Sequence, residues 1–325
     1  MGSNAPQPRI PIIEFATAGS ADLERGTEGW KNLCKRVREA CENYGCFEVV
    51  YGKIPRKLRE ETFSSLRELI EVPLENKQKN VNPKPYHSYF GPCSHVSLYE
   101  GFGIEDASNY DSVQSFAQLM WPDGHNQFCN AVNTMVKELE ELNHMIWLMI
   151  IDSYDLGEKM ESLMKCKMLL RMMKYMAPPS SEEKKQGLYA HTDKLVNAIL
   201  CEDQISGLEI EIEGEWIKAF PSPSSFIFFV GDPLMAWSNG RMKAGRHRVT
   251  MSGDKDRYSF GVFPVPVEGT VIKPPKELVD EVEHPRVFKE FDFMDFLFYS
   301  FSEAAKPIDS AQQIYAFASQ AQPKI

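Results

Sequence analysis

The combination of His191, Asp193 and a distant His247 limits what this chain can form more than any other feature. Residues two apart on an extended strand point to the same face, so His191 and Asp193 can bind one ion together. The segment 194–246 is long enough for two or three hairpins to bring His247 back to them. Two neutral imidazoles and one carboxylate on one face of an octahedral ion leave three positions open, as in non-haem Fe(II) sites. The sequence therefore predicts a metal centre formed by these three residues.

Arg257 and Ser259 form a second pair at the same spacing, beginning ten residues beyond His247. On one strand face, a guanidinium beside a hydroxyl is a strong receptor for a carboxylate, because the planar guanidinium can bind both oxygens. We therefore expect an anion site close to the metal centre. The alternative is a surface ion pair between Arg257 and either Asp254 or Asp256.

At this spacing, the two motifs resemble those of the plant 2-oxoglutarate- and Fe(II)-dependent dioxygenase family. The segment Trp237–Val249, which leads into the second histidine, is similar to the corresponding stretch of that family. The segments Pro11–Phe15 and Asn43–Phe47 resemble its N-terminal region, so the resemblance covers nearly the whole chain. The segments Met173–Tyr175 and His191–Lys194 look most like the AOP-like branch, which includes the glucosinolate side-chain-modifying dioxygenases.

The resemblance implies a metal, a co-substrate and the residues that hold them. It implies Fe(II) at the three predicted metal ligands and 2-oxoglutarate bound through Arg257, Ser259 and Tyr175. Ascorbate is the expected reductant. Relatives often carry Asn where this chain has Met173, so a polar contact near the co-substrate is expected to be missing.

The resemblance also implies the reaction class, which is oxidative decarboxylation of 2-oxoglutarate coupled to hydrogen abstraction from a second substrate. Hydroxylation, desaturation, demethylation and oxidative cyclisation all begin with that abstraction, so the sequence does not select among them. Many family members act on small, largely apolar plant specialised metabolites, and we expect such a substrate here. Two alternatives stay open: an oxidase of the same fold that takes no 2-oxoglutarate, and a catalytically silent relative that binds a small molecule.

Two aromatic segments outside the motifs are candidates for substrate selection. Residues 86–121 and 287–317 are rich in aromatic side chains, and by resemblance they close over the mouth of a barrel. Binding pockets consist mostly of apolar walls with a few placed polar groups. We therefore predict substrate contacts from Tyr99, Phe102, Phe263 and Phe298. The alternative is that these rings only fill an interface between helices and barrel.

The hydrophobic pattern predicts a core that is mainly β. Apolar residues alternate with glutamates over 208–213, and Gly214 turns this strand into the next one at 216–219, which predicts a hairpin. The continuous apolar run 226–230 predicts a strand buried on both faces. Short strands separated by turns favour a sandwich or jelly roll. The family resemblance implies the cupin-type jelly roll, a double-stranded β-helix.

Helices are predicted on both sides of this β core. Helical periodicity predicts helices over 27–43, 55–74 and 126–154, and a helical tail after residue 287. We divide the chain into an N-terminal region of helices and strands, 1–125, which packs on the core, and a catalytic region. The catalytic region, 126–325, contains the long support helix, the jelly-roll core and the C-terminal helices.

Composition argues against several classes of partner. A formal net charge of −10 over 325 residues argues against a nucleic-acid surface, which needs clustered positive charge. No stretch approaches the roughly 20 apolar residues of a membrane span. The seven cysteines include no Cys-x-x-Cys pair and are expected to be free thiols, which fits a reducing compartment. We expect a cytoplasmic monomer whose partner is a small-molecule substrate.

Overall fold

Two β-sheets form the centre of the protein, whose computed structural model describes residues 9–15, 23–157, 165–180 and 183–320. The strands in these residues are β1 (Ile12–Phe15), β2 (Cys46–Tyr51), β3 (Tyr99–Ile104), β4 (Cys166–Tyr175), β5 (Lys185–His191), β6 (Asn197–Glu202), β7 (Leu208–Ile212), β8 (Glu215–Lys218), β9 (Ser225–Val230), β10 (His247–Met251), β11 (Arg257–Pro266), β12 (Val271–Ile272) and β13 (Phe291–Asp292).

The larger sheet has seven strands in the order β1-β2-β9-β6-β11-β4-β3, and the smaller has four in the order β5-β10-β7-β8. Strands β12 and β13 pair with each other. In the larger sheet, β11 lies between β4 and β6 and pairs antiparallel with both. This register places Arg257 beside Tyr175 on one side, and Ser259 beside Glu202 on the other.

Helices flank the sheets on the N-terminal and C-terminal sides. In the described residues they are α1 (Glu28–Asn43), α2 (Arg56–Ile70), α3 (Leu74–Lys77), α4 (Tyr110–Met120), α5 (Asn126–Ser153), α6 (Asp232–Trp237), α7 (Phe293–Ser300) and α8 (Ser310–Ala318). The predicted helices over 27–43 and 126–154 are confirmed as α1 and α5. The predicted helix over 55–74 is divided into α2 and α3, because Pro73 disfavours helical backbone in the residue before it.

Two hydrophobic clusters join these layers. The main core packs α1, α2, α4 and α5 against the larger sheet. A smaller cluster combines Tyr99, Met173 and Tyr175 of the larger sheet with Val249 and Met251 of the smaller one. The two sheets therefore face each other across an apolar interior, and the predicted jelly-roll core with flanking helices is confirmed.

The aromatic segment 86–121 contains two regular elements that the hydrophobic pattern did not predict, β3 and α4. Strand β3 forms the edge of the larger sheet next to β4. It contains Gly101 and Gly103, and these glycines hide the alternation that marks a strand in sequence.

The two N-terminal strands belong to the same sheet as the core strands. Strands β1 and β2, from the first of the two predicted regions, extend the larger sheet through β9. The division between residues 125 and 126 stays a prediction.

All seven cysteines are free thiols, as predicted. Over the described ranges, no helix is both long enough and apolar enough to cross a bilayer.

Candidate active site

The two histidines of the predicted metal centre lie side by side on neighbouring strands. His191 is the last residue of β5 and His247 is the first of β10, and the antiparallel register pairs them directly. Their ring centroids are 4.3 Å apart. Asp193 follows β5 by two residues, and the chain after the strand brings its carboxylate to both rings.

The three side chains form a compact cluster of possible ligand atoms. Oδ1 of Asp193 lies 3.7 Å from Nε2 of His191 and 3.9 Å from Nε2 of His247. Ligand atoms from the three residues all lie within 4.8 Å of one another. Elsewhere in the described residues, no other group of three His, Cys, Asp or Glu side chains comes as close together. The sequence-predicted residues are therefore brought together in the arrangement that a single cation requires.

Both imidazoles are oriented by backbone carbonyls. Nδ1 of His191 lies 2.8 Å from the carbonyl oxygen of Tyr189, and Nδ1 of His247 lies 3.0 Å from that of Gly245. A carbonyl oxygen only accepts, so each Nδ1 carries the hydrogen and each Nε2 presents its lone pair to the cluster. Phe229 stacks on His247 with 4.3 Å between centroids, which limits rotation of that ring. Orientation of this kind is typical of histidines that bind metal.

Burial controls the charges of the cluster. It lowers the pKa of His191 well below its ordinary value, and the neighbouring His247 adds to that shift. Burial raises the pKa of Asp193, against the opposing effects of His247 and Lys194. Oδ2 of Asp193 is buried and has no hydrogen-bond partner in the described residues. A cation at the cluster would satisfy this oxygen and stabilise the carboxylate, so the donor set fits a divalent ion such as Fe(II).

A buried ion pair supports the loop that carries Asp193. Nζ of Lys194 lies 2.6 Å from Oδ2 of Asp232, and it also donates to the hydroxyl of Thr192 and the carbonyl of Ser310. The backbone N–H of Asp232 donates to the carbonyl of Asp193 at 2.8 Å. Burial raises the pKa of Asp232 to about 6, although Lys194 opposes that shift. These contacts tie the loop to both α6 and α8.

The guanidinium of Arg257 is buried and already pairs with a carboxylate. Nε and Nη2 donate to Oε2 of Glu202 on β6, at 3.2 and 2.5 Å. Nη1 donates to the hydroxyl of Ser259 at 3.1 Å, and that hydroxyl keeps its own hydrogen for another acceptor. The alternative of a surface ion pair with Asp254 or Asp256 is wrong, since Arg257 is only 3% exposed. Glu202 uses one edge of the guanidinium, and Nη1 with Ser259 can still receive a second carboxylate.

Tyr175 lies next to this anion site. Its ring faces Arg257, with 5.1 Å from the ring centroid to the guanidinium carbon. Its hydroxyl contacts Sδ of Met173 at 3.9 Å, and Met173 pairs with Ser259 in the register of β4 and β11. The structure therefore places the predicted co-substrate residues together. Met173 provides an apolar contact beside this anion site.

Two of the predicted substrate residues face the interior. Tyr99 on β3 lies across from Tyr175 on β4, with ring centroids 5.2 Å apart. Phe263 shares a face of β11 with Arg257, since it lies six positions further along the strand, and it is 8% exposed. A substrate contact for Tyr99 or Phe263 stays a prediction.

The other two predicted substrate residues are Phe102, which lies in the main core, and Phe298, for which a substrate contact stays a prediction. Phe102 is three residues from Tyr99, so it points to the opposite face of β3. There it is fully buried in the main core, with its ring centroid 6.2 Å from that of Phe116. Phe298 is 48% exposed, and the tail residue whose ring meets the aromatic segment is Phe301, at 4.9 Å from Tyr86.

The sequence-based reasoning missed the residues that support the site. Lys194 follows Asp193 directly, and an ammonium next to a buried ligand was a signal available in the sequence. Glu202 gave no such signal, because 55 residues separate it from Arg257 and the contact depends on strand order in the sheet.

Comparison with known proteins identifies the same regions. A family model described as the 2OG-Fe(II) oxygenase superfamily matches residues 166–266. A second, described as "non-haem dioxygenase in morphine synthesis N-terminal", matches residues 10–127. The chain is 39% identical over 317 residues to the probable 2-oxoglutarate-dependent dioxygenase AOP1.2 of Arabidopsis thaliana, covering 95% of this chain and 96% of that protein.

Solved structures of similar proteins share the fold. The dioxygenase for auxin oxidation from rice is 28% identical with a TM-score of 0.80, covering 95% of this chain and 100% of that one. The Arabidopsis thaliana dioxygenase for auxin oxidation 1, solved as a complex with 2-oxoglutarate, is 27% identical with a TM-score of 0.76, covering 86% and 100%. The identity to a relative matched over almost its whole length shows that this chain belongs to the 2-oxoglutarate- and Fe(II)-dependent oxygenase superfamily.

Proposed function

We propose that this enzyme of the 2-oxoglutarate-dependent dioxygenase class oxidises a small, largely apolar plant specialised metabolite. The reaction is hydroxylation, desaturation, demethylation or oxidative cyclisation. One observation supports the assignment of the site: Val249 of β10, the strand that begins at His247, shares the hydrophobic cluster between the sheets with Tyr175, whose ring faces Arg257. A metal site and an anion site in one interior are what a chelating keto acid with a second carboxylate requires.

The protein's own residues bind and orient the reactants. His191, Asp193 and His247 would hold Fe(II), with both rings fixed by their Nδ1 hydrogen bonds. Bound Fe(II) supplies the one-electron chemistry that dioxygen activation needs. Nη1 of Arg257 and the hydroxyl of Ser259 hold the distal carboxylate of 2-oxoglutarate. The apolar cluster between the sheets excludes water from this interior, which strengthens each of these polar contacts.

Succinate release tests the proposed activity. Purified protein is incubated with Fe(II), ascorbate and 2-oxoglutarate, with and without fractions of a plant metabolite extract. We expect succinate to depend on both Fe(II) and 2-oxoglutarate, and one extract component to gain an oxygen atom, lose two hydrogens or lose a methylene group by mass spectrometry. Absence of succinate under every condition, with iron bound stoichiometrically, would contradict the proposal and favour a silent binding protein.

A second candidate is an oxidase that uses the iron centre without 2-oxoglutarate. The observation that favours it is the Glu202 carboxylate, which already neutralises Arg257, together with Met173 beside Ser259. The two activities differ in a simple measurement. The oxidase consumes dioxygen with the extract and ascorbate alone, whereas the dioxygenase consumes dioxygen only when 2-oxoglutarate is added.

A further inference from the structure

Arg171 is a buried cation that the proposed mechanism does not use. It lies on β4, where residues two apart share a face, so it points to the same side as Met173 and Tyr175. Those two residues belong to the hydrophobic cluster between the sheets. Arg171 therefore points to the interior that contains the metal centre, and it is only 7% exposed.

The surrounding chain is built to hold this guanidinium. Nη2 donates to the hydroxyl of Tyr99 at 2.6 Å, and Nη1 donates to the backbone carbonyl of Tyr86. Tyr86 has a φ of +71°, a backbone conformation that costs free energy in an aromatic residue. Glycines of β3 provide the space: a Cβ at Gly101 would lie 3.0 Å from Nη2, and one at Gly103 would lie 2.2 Å from the carbonyl oxygen of Tyr86.

The charge of Arg171 is not balanced by a carboxylate. Both of its hydrogen bonds go to neutral oxygens, and within the described part of the chain no acidic side chain lies within ion-pair distance of it. Three other buried cations have a carboxylate oxygen 2.5 to 2.7 Å away, in the pairs Lys77–Glu100, Lys194–Asp232 and Arg257–Glu202. Arg59 also lacks a hydrogen-bonded carboxylate, but its Nη2 donates to the backbone carbonyl of Glu202 at 3.1 Å, so it lies next to an acidic residue. An uncompensated buried charge is costly, so the position of Arg171 is suited to an anion that the described residues do not supply.

Tyr86 connects Arg171 to the C-terminal aromatic segment. Its hydroxyl makes no hydrogen bond in the described residues, and its ring lies edge-on to Phe301 with 4.9 Å between centroids. Burial raises the pKa of Tyr86, and the Asp193 carboxylate adds to that shift whereas Arg171 opposes it. The backbone carbonyl of Tyr86 accepts from Arg171, so this residue lies between the guanidinium and Phe301.

We infer that Arg171 anchors an anionic group, a carboxylate or a similar oxyanion, on the otherwise apolar substrate. Tyr86 and Phe301 then provide an apolar wall for the rest of that molecule. This inference rests on the proposed function, because it names the chemical class of substrate for the same iron centre. The guanidinium has five N–H groups and uses two on Tyr86 and Tyr99, so others are available to an incoming oxyanion.

Paired acids and amides test the inference directly. The enzyme is loaded anaerobically with Fe(II) and saturating 2-oxoglutarate, so that the co-substrate site is filled. Binding of indole-3-acetate, phenylacetate and hexanoate is then compared by calorimetry with binding of the corresponding neutral amides. We expect at least one acid to bind about tenfold or more tightly than its amide. If no acid binds more tightly than its amide, the inference is wrong.

Variants assign the preference to Arg171. R171Q is expected to abolish the preference for the acid, and R171K to retain part of it, because an ammonium keeps the charge without the planar donor geometry. Arg59, another buried arginine without a carboxylate, donates to two backbone carbonyls and stacks on Phe226, so R59Q is the matched control that keeps the preference. If R171Q does not fold, Y99F is used, and it is expected to weaken the preference. A preference that survives in R171Q, or unchanged in both R171K and Y99F, overturns the inference.

One further measurement separates this inference from the proposed function. The Kd for 2-oxoglutarate in R171Q is expected to stay within about twofold of the unmodified protein, because Arg257 and Ser259 bind the co-substrate. A large rise in that Kd with the acid preference intact would make Arg171 a co-substrate residue and overturn the inference alone. Absence of 2-oxoglutarate-dependent succinate release in the unmodified protein would instead contradict the proposed function.

Discussion

At the scale of single residues, the candidate site consists of functional groups that are held by groups behind them. The histidines are oriented by the carbonyls of Tyr189 and Gly245, and Arg257 is oriented by Glu202. Each supporting contact restricts the rotation of a functional side chain before a ligand binds. Preorganisation of this kind lets binding free energy go to the ligand instead of to ordering the side chains.

The first prediction concerns His247. His247→Ala removes one of three protein ligands, so we expect iron content to fall and 2-oxoglutarate-dependent succinate release to drop to background. His144→Ala is the control, because His144 is an exposed residue of α5 and should leave both quantities unchanged. Iron content is measured by mass spectrometry and succinate by a coupled assay. Full activity in His247→Ala with one iron per chain would contradict the assignment.

The second prediction concerns Arg257 and the carboxylate that pairs with it. Arg257→Ala removes the cation of the anion site and also leaves Glu202 buried without its partner. We expect a raised KM for 2-oxoglutarate and a loss of about 3–5 kcal/mol in the free energy of unfolding. Adding Glu202→Gln should restore most of the stability but leave the KM raised. Denaturant unfolding and succinate kinetics measure the two effects separately.

Two outcomes would count against that assignment of Arg257. Unchanged saturation by 2-oxoglutarate in Arg257→Ala would show that another residue anchors the co-substrate. Recovery of the KM in the Arg257→Ala, Glu202→Gln double variant would show that the single change acted only through stability. Arg257→Lys is expected to recover part of the affinity, because an ammonium cannot form the planar pair of hydrogen bonds.

At the scale of elements, the loop that carries Asp193 is held by two helices, α6 and α8, that lie far from it in the sequence. The Lys194–Asp232 pair connects the loop to α6, and the carbonyl of Ser310 connects it to the start of α8. Ser310 also receives a hydrogen bond from the backbone of Thr192 at 3.2 Å. The C-terminal helix is therefore part of the support for the metal ligands.

The third prediction concerns the Lys194–Asp232 pair. Lys194→Met leaves Asp232 buried without a cation, so we expect the free energy of unfolding to fall by about 3–5 kcal/mol. Adding Asp232→Asn removes the unpaired charge and should recover a large part of that loss. Urea unfolding of both variants measures the difference. Equal stability of the single and double variants would show that the pair does not carry the support.

The fourth prediction concerns the contact between the two aromatic segments. Phe301→Ala removes the ring that meets Tyr86, so we expect a changed KM for the prime substrate, or a changed product, with uncoupled 2-oxoglutarate turnover retained. Phe298→Ala is the control, since Phe298 and Phe301 are equally half exposed, at 48% and 49%, and in the described residues only Phe301 has a ring partner. A uniform loss of activity and melting temperature in Phe301→Ala would instead indicate that the ring only fills an interface.

At the scale of the whole molecule, the sequence predicted the features that depend on residues close together along the chain. The periodicity of α5, the glutamate alternation ending at Gly214 and the two-residue spacing of His191 and Asp193 all act over short distances along the chain. The missed features depend on strand order. Strand β3 is recognisable only when its glycines Gly101 and Gly103 are seen beside Arg171 of the neighbouring strand. The role of Glu202 is recognisable only when β6 is placed next to β11. Phe102 was misplaced because its neighbours, Gly101 and Gly103, do not reveal which of the two buried faces of β3 packs against the main core.

The position of the two halves of the site on different sheets has a consequence for rigidity. The metal ligands belong to the smaller sheet and its outgoing loop, whereas Arg257 and Ser259 belong to the larger sheet. On the proposed function, bound 2-oxoglutarate contacts both halves of the site and therefore connects the two sheets. We therefore expect the melting temperature to rise more with Mn(II) and 2-oxoglutarate together than the two separate rises combined, as measured by scanning fluorimetry. Additive rises would contradict this expectation. Succinate lacks the keto group needed for chelation, so on the proposed function we expect the connection between the two sheets to weaken once 2-oxoglutarate has been converted.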